Sequence, residues 1–443
     1  MKTIALLIAL LLSISLHAQR FQGIHTSRFF PLQNIYSQPA DLVRSDSRWN
    51  VNFLSTNIAL KENFVFNESD YWDLVGKVGF GDLKYFFATE ESALVAVGNV
   101  MLPSVSYKIN HRNAVALTMR LRVNGIYKSS NSDLLKLFTG IDNPEGLQNL
   151  SNEYFKSLVN QWMEYSASWS GVLWENEGHL LTGGLNLKYL VGGGSGYLNM
   201  DGINVDYSSS DIDHFDVQVS YAYNKNLSNT ISQGKIDLFG DRGVGLDFGL
   251  SYSYKPTGND AIPYKYKVGF SISDVGYVKH RKEVDRSSFQ VDIQNISFSW
   301  FSQVESMRAL IDSLKNSVDF VVVNQNSYKM DLPKTFTLTG DYCFSRNWYV
   351  EGLISYQPGY YRRVSDIIRS RIWTFAVTPR FENLNWGVYL PFFHTSLSTD
   401  LGAAFRWKFF FMGSRNVLSN MLSSGPQNGE FYFGINIPIG KQE

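Results

Sequence analysis

Residues 113–128, NAVALTMRLRVNGIYK, carry two different surfaces on one short chain. Val115, Leu117, Met119, Leu121, Val123, Gly125 and Tyr127 form one row, whose only polar atom is the tyrosine hydroxyl. Thr118, Arg120, Arg122, Asn124 and Lys128 form the other. A period of two is the mark of a β-strand, because successive side chains leave a pleated backbone on opposite faces. One such strand also fits the half-buried sheet of a soluble protein, so the repetition of the pattern decides.

The pattern recurs along the chain. Met163, Tyr165, Ala167, Trp169 and Leu173 alternate with Glu164, Ser166, Ser168 and Ser170, and Leu181, Leu185, Leu187 and Tyr189 alternate with Thr182, Gly184, Asn186 and Lys188. Residues 215–223, 244–254 and 264–272 continue it, followed by stretches near 335–344, 348–357, 371–382, 385–394, 399–411 and 430–440. With 49–60 and 94–109 this makes about fourteen strands, about sixteen being the alternative. Their lengths match the roughly nine to eleven residues that cross a bilayer at a tilt. The polar rows hold mostly Ser, Thr, Gly, Asn and Asp, which suit a crowded wet interior better than bulk water. Aromatics are 15% of the residues, and apolar rows start or stop at Tyr127, Tyr189, Tyr254, Tyr264 and Trp373, as interfacial girdles require. The fold predicted is all-β: a transmembrane antiparallel barrel with an N-terminal lumen segment and a few loop helices.

The opening MKTIALLIALLLSISLHAQ has a basic start, a short apolar run and small residues before Ala18. It predicts a signal peptide over 1–18, and therefore export. Beyond it no run of 18 apolar residues occurs, so a membrane would be crossed by strands. Forty basic residues balance forty acidic ones, which leaves no basic footprint for nucleic acid. Cys343 is the only cysteine, which excludes an intramolecular disulfide and a multi-cysteine metal site. The domains expected are the signal peptide, a lumen or plug segment over 19–47, and the barrel over 48–443.

His111-Arg112, 175–178 and 345–347 read as tight periplasmic turns, and 61–93, 129–161 and 192–214 as long outer loops. With fourteen strands the segment 280–334 falls on the periplasmic side, against the short-turn rule; a further strand within 288–301 would repair the parity. Helical spacing predicts helices over 303–316 and 153–162. LVGGGSGYLNMDG (190–202) lacks the Lys-Ser/Thr of a phosphate loop and reads as an outer loop. Asp201, Asp206, Asp211, Asp213 and Asp216 read as a solvated acidic loop, with no EF-hand spacing for calcium.

The stretch NIYSQPADL lies between the leader and the first strand. A segment with Asn-Pro-Ala near the mature N-terminus, followed by about fourteen amphipathic strands, resembles the FadL-type outer-membrane transporters and the PorV-like barrels of the Bacteroidota. Here the motif is Gln38-Pro39-Ala40, with Gln in the place of Asn. The resemblance implies a segment folded into the lumen as a plug, and passage of a small hydrophobic or amphipathic molecule.

Arg120, Arg122, Lys188, Lys265 and Lys267, with Asp216 and Asp247, lie on polar rows and are the candidates for lumen ion pairs or a charged constriction. Seven scattered histidines, without HExxH or GxSxG, give no catalytic constellation; no enzyme, cofactor or metal is expected. The partners expected are outer-membrane lipid and lipopolysaccharide, a small hydrophobic ligand, and a protein docking on the outer loops or periplasmic face. The rival function is a plugged barrel serving a secretion or surface-attachment assembly. The location implied is the outer membrane of a Gram-negative bacterium.

Overall fold

The computed structural model describes residues 21–62, 92–131, 149–207, 211–227, 240–257, 262–281, 283–297, 313–314, 327–358, 372–395, 398–422 and 428–441, together with Leu134. Twenty β segments follow in chain order. They are β1 (Ser47–Glu62), β2 (Ser92–Met101), β3 (Ser104–Asn110), β4 (Asn113–Ser129), β5 (Leu150–Asn176), β6 (His179–Tyr207), β7 (Asp211–Asn224) and β8 (Arg242–Tyr254). Then come β9 (Tyr266–His280), β10 (Val284–Ser297), β11 (Tyr328–Asp331), β12 (Thr335–Ser345), β13 (Trp348–Gln357) and β14 (Ile372–Glu382). The chain ends through β15 (Trp386–Tyr389), β16 (Phe392–Thr395), β17 (Thr399–Leu401), β18 (Ala403–Trp407), β19 (Phe410–Ser414) and β20 (Asn428–Lys441).

All pairings are antiparallel, and β20 returns to β1, with Ser47 opposite Lys441 and Lys61 opposite Asn428. The sheet therefore closes and has no wall edge. Short interruptions split several wall strands, as at Leu102-Pro103 between β2 and β3, where Pro cannot donate to a ladder. With β2/β3, β11/β12, β15/β16 and β17/β18 each counted once, and β7 and β10 set aside, the wall has 14 strands.

The two rows of the 113–128 stretch separate as expected. On β4, Leu117 is 64% exposed to the outside while Arg122 on the inner row is 0% exposed. Leu187 on β6 and Val244 on β8 are nearly as exposed as Leu117, and Asn186 and Asp247 on the polar rows of the same strands are buried. Such an apolar outer surface is stable only against hydrocarbon. Exposed Trp49, Trp174, Phe344, Trp348, Trp386 and Trp407 ring one end. That end carries the tight turns at 111–112, 177–178, 346–347 and 408–409 and both ends of the wall; by the short-turn rule it is periplasmic.

Strand membership differs from the sequence reading in compensating ways. β6 pairs with β8 over residues 179–191 and with β7 over 196–207, so β7 and β8 run in the same direction and together occupy one place beside β6. β9 and β10 do likewise, since β10 pairs with β7. Residues 215–223 and 244–254 are thus one wall position, and β10 ends and β11 begins on the outer side, which removes the parity conflict. In exchange, 399–411 is two wall strands joined by a turn in which Lys408 takes φ 49°.

The upper parts of β5 and β6 with β7 and β10 form a four-stranded sheet beyond the wall. One face buries Phe155, Met200, Val205, Phe215, Val217 and Val291 in a core of its own. Residues 129–161 and 192–214 are therefore largely strand instead of loop, including the Gly-rich 190–202 and the acidic residues of β6 and β7. The helix expected at 153–162 is part of β5: ladder pairing and two-sided burial outweigh a short helical spacing. The expected loop at 61–93 and helix at 303–316 fall mostly outside the described residues; within the latter, Ser313 and Leu314 are helical and Leu314 is buried in the outer core.

Candidate functional site

Residues 21–46 run inside the barrel in three short helical turns, Ile24–Thr26, Pro31–Asn34 and Pro39–Arg44. Segments this short have no stability alone, and the barrel's inner face holds them. Phe21 and Phe30 pack on Phe411, with ring centroids 5.5 and 5.2 Å apart, and Tyr432 donates its hydroxyl to the carbonyl of Gln22. Gln33 Nε2 donates to Asn52 Oδ1 at 3.0 Å, and Tyr36 Oη donates to Thr118 at 2.7 Å. Gln38 Nε2 reaches the carbonyls of Leu250 and Phe270 at 3.1 and 3.3 Å.

The Gln38-Pro39-Ala40 turn lies against inward-facing glycines. A Cβ on Gly184 would sit 2.4 Å from the Pro39 carbonyl carbon, and one on Gly249 only 2.1 Å from Gln38 Oε1. The glycines interleaved in the polar rows of β6 and β8 leave room for backbone to approach backbone.

Beside this segment the candidate charges gather into a sealed network. Glu164 Oε2 accepts from Arg120 Nε and Nη2 at 2.9 and 2.5 Å, and its Oε1 accepts from Arg122 Nη1 at 2.8 Å and Trp162 Nε1 at 2.8 Å. Arg122 Nη1 also reaches Asp274 Oδ1 at 2.9 Å. Lys188 Nζ joins Asp274 at 2.5 Å to Asp247 at 2.8 Å, and Asn186 Nδ2 donates to Asp247 Oδ2 at 2.7 Å. Three cations meet three carboxylates, and every one of these side chains is 5% exposed or less. Tyr36 lays its ring 3.5 Å from Arg120 Cζ, tying the network to the N-terminal segment by a cation–π contact.

Lys267 makes the second tie: its Nζ lies 2.7 Å from Asp41 Oδ2, and Arg44 Nε lies 3.3 Å from Asp41 Oδ1. Burial alone would raise the Asp41 carboxyl, but Lys267 and Arg44 overcome it and hold the group below the ordinary carboxylate value.

Arg120, Arg122, Lys188 and Asp247 thus come together, and Lys267 meets the segment. Lys265 stands apart near the periplasmic rim, donating to the Cys343 carbonyl at 3.3 Å with its Nζ 4.6 Å from the Tyr342 ring. Asp216 lies on the outer sheet, where Asn204 and Gln290 donate to it at 3.3 and 3.2 Å. Sequence reasoning missed Glu164 and Asp274 as network members. Glu164 had a signal, as the one acid on the polar row of 163–173; Asp274 sits where the β8–β9 ladder slips, with φ 59°, and has none.

Toward the outer end the inward row turns apolar. Trp162, Leu190, Val278 and Leu332 form one buried cluster above the charges. Val97, Ile126, Leu158, Tyr328 and Met330 belong to the next. The lumen is therefore layered, with a greasy mouth above a charged girdle and the N-terminal segment beneath. Among the described residues no group of His, Cys, Asp and Glu is arranged to hold a metal ion.

A family described as "Family of unknown function (DUF5723)" matches residues 39–414. The chain belongs to this family. The DUF5723 match starts at Pro39, in the turn against the glycines, and runs through β19, so it takes in every charged residue of the girdle. No curated protein matches. Among solved structures, the toluene transporter TbuX of Ralstonia pickettii is similar with a TM-score of 0.44 and 10% identity, over 91% of this chain and 92% of that one. The P. putida toluene transporter TodX gives 0.45 and 10% over 93% and 94%. A Pseudomonas aeruginosa FadL homologue gives 0.32 and 11% over 96% and 99%.

Proposed function

We propose that this DUF5723 protein is an outer-membrane barrel of a Gram-negative bacterium that passes a small hydrophobic or amphipathic molecule. In this reading 1–18 is a leader removed on export and 19–47 is the plug. The observation that carries it is the layered lumen: a barrel built only as a membrane anchor has no need of an inward apolar mouth over Trp162, Leu190, Val278 and Leu332. The charged girdle, neutral in sum, bars free ions, and the plug is seated by Tyr36 against Arg120 of the girdle, by Gln38 on the Leu250 carbonyl and by Asp41 on Lys267. Arg120 and Lys188 face the Tyr36 ring, Arg122 and Asp247 complete the network behind them, and Lys267 latches the segment, while Lys265 and Asp216 lie outside it. The toluene passage named for TbuX and TodX agrees with an apolar cargo.

The test is uptake of a radiolabelled aromatic hydrocarbon into proteoliposomes by the full chain and by a 19–47 deletion. The deletion variant is expected to pass it faster. Flux equal to empty liposomes in both proteins sinks the reading. The outer sheet, with its separate core, favours a second reading in which the barrel displays a docking face. A stoichiometric partner retained through purification and lost when the outer sheet is trimmed would support that instead.

A further inference from the structure

Within the outer mouth, between its two apolar clusters, the lumen holds side-chain polar atoms that the protein leaves without partners. Asn160 is wholly buried, and neither its amide oxygen nor its amide nitrogen has a hydrogen-bond partner. Ser195, directly across the ladder from Asn160, is also wholly buried with a partnerless hydroxyl. His280 is the third: it is 0% exposed and its Nε2 has no partner.

These residues share one small region. Tyr328 donates its hydroxyl to the Ser195 carbonyl at 2.7 Å and stacks on the His280 ring, centroids 4.9 Å apart at 27°. Asn224 links the same pair: its Oδ1 accepts from the Ser195 amide at 3.0 Å, and its Nδ2 lies 3.3 Å from His280 Nδ1. Gly192, opposite Trp162, completes the junction, since a Cβ there would meet Val278 and His280 at 2.7 and 2.9 Å. Here β6 exchanges β8 for β7 as its neighbour. The place is the outer mouth of the lumen, walled by Leu158, Trp162, Leu190 and Val278.

A partnerless buried polar group destabilises the fold, and three residues carry one within the same packed region. The chemistry of the three defines what would relieve it. His280 Nδ1 faces Asp241 Oδ2 at 3.2 Å and the Asn224 amide nitrogen at 3.3 Å; the carboxylate is the stronger partner and the amide has the Gly193 carbonyl to donate to, so the ring proton goes to Nδ1 and Nε2 is left as an acceptor. Asn160 offers both a donor and an acceptor. A hydroxyl can donate to the imidazole and accept from the amide at once; a hydrocarbon does neither. A carboxylate has no proton for Nε2 and adds charge near Asp241.

We propose that this junction binds the hydroxyl group of an otherwise apolar molecule, a phenol or alkanol. The site deepens the passage reading by naming its cargo class, and it rests on that reading for its purpose. The three side chains are packed shut, so a guest enters by parting the mouth, and the measured affinity includes the cost of opening.

The probes are p-cresol, toluene and 4-methylbenzoate, titrated calorimetrically into the full chain in detergent. The expected result is p-cresol about tenfold tighter than toluene, about one good buried hydrogen bond, with 4-methylbenzoate weakest. Asn160→Leu should abolish the cresol preference and leave toluene within about twofold, and it should raise resistance to unfolding, because an orphaned amide is gone. His280→Phe, which keeps the stack on Tyr328, should also lower the preference and serves as the readout if Asn160→Leu fails to fold. No preference for cresol in the unmodified protein, a preference that survives both substitutions, or binding of none of the three overturns the site. Flux without this preference leaves the passage reading standing and removes the hydroxyl site. Preference without flux keeps the site and sinks passage.

Discussion

Glu164→Gln tests whether the girdle is a sealed network or a set of water-shared charges. The carboxylate accepts four hydrogen bonds, three from guanidinium groups and one from the Trp162 indole. Glutamine keeps the shape, but whichever way it is turned its amide nitrogen faces two donors. The change also leaves three cations against two carboxylates. Breaking a buried pair by removing one partner costs about 3–5 kcal/mol, since the remaining charge stays desolvated. The assay is reversible urea unfolding of the barrel in thin phospholipid vesicles, followed by tryptophan fluorescence. Adding Arg122→Met should recover part of the loss, because it restores charge balance and keeps the long side chain over Trp162; couplings of roughly 0.5–3 kcal/mol are usual for touching residues. A single-mutant cost below about 1 kcal/mol, the value of a solvent-shared pair, would refute the sealed network. So would strict additivity in the double mutant.

Three further outcomes follow from the same geometry. Gly249→Leu drives a side chain into Gln38 and is expected to unseat residues 21–46 with the wall intact, read as increased protease cleavage of the N-terminus with heat-modifiable gel mobility retained. Asp41 has a depressed folded value, so its contribution to seating the segment is full above the unfolded carboxylate value near 4 and is lost as pH falls through the lower folded one; cleavage of the segment should rise only below about pH 4, and Lys267→Ala should weaken that dependence, since Arg44 alone then opposes burial. Leu187→Arg on the outer face should cost about 2–4 kcal/mol if near the bilayer midplane, measured by the same urea unfolding, whereas a value near zero would argue against lipid contact there.

The inner and outer rows were legible because two solvents write opposite instructions on alternate residues. Arg120 and Arg122 were readable as lumen residues from β4 alone, since no polar residue on that row could face lipid. Their partners were not. The pairing of Arg120 with Glu164 depends on the register between β4 and β5, which is set over the whole hairpin and which no local spacing reveals. Asp274 depends on a ladder slip between Leu246 and Phe248. Gly184 and Gly249 acquire a reason only once Gln38-Pro39-Ala40 is placed against them, a contact between residues more than a hundred positions apart.

The strand count carries a more general lesson, because fourteen was reached through strands that are not all in the wall. Alternation reports that a strand has one apolar and one polar face; it does not report what covers the apolar face. On β4 that cover is lipid and Leu117 stays exposed, whereas on β7 it is protein, and Phe215, Val217, Val219 and Tyr221 are each 0% exposed. The two kinds of strand look alike in sequence. What separates them is parity: antiparallel wall strands must alternate ends, and counting 215–223 and 244–254 as two wall strands forced the 280–334 segment to the wrong end. Two strands running the same way beside β6 are the resolution. The place where they change over, Gly192 to Ser195, is also where the buried polar atoms of the mouth collect. At this junction Asn224 and Tyr328 take the backbone groups of Gly193 and Ser195, while the side chains of Asn160, Ser195 and His280 keep buried polar atoms without partners, and those are the atoms with which a guest molecule has something to gain.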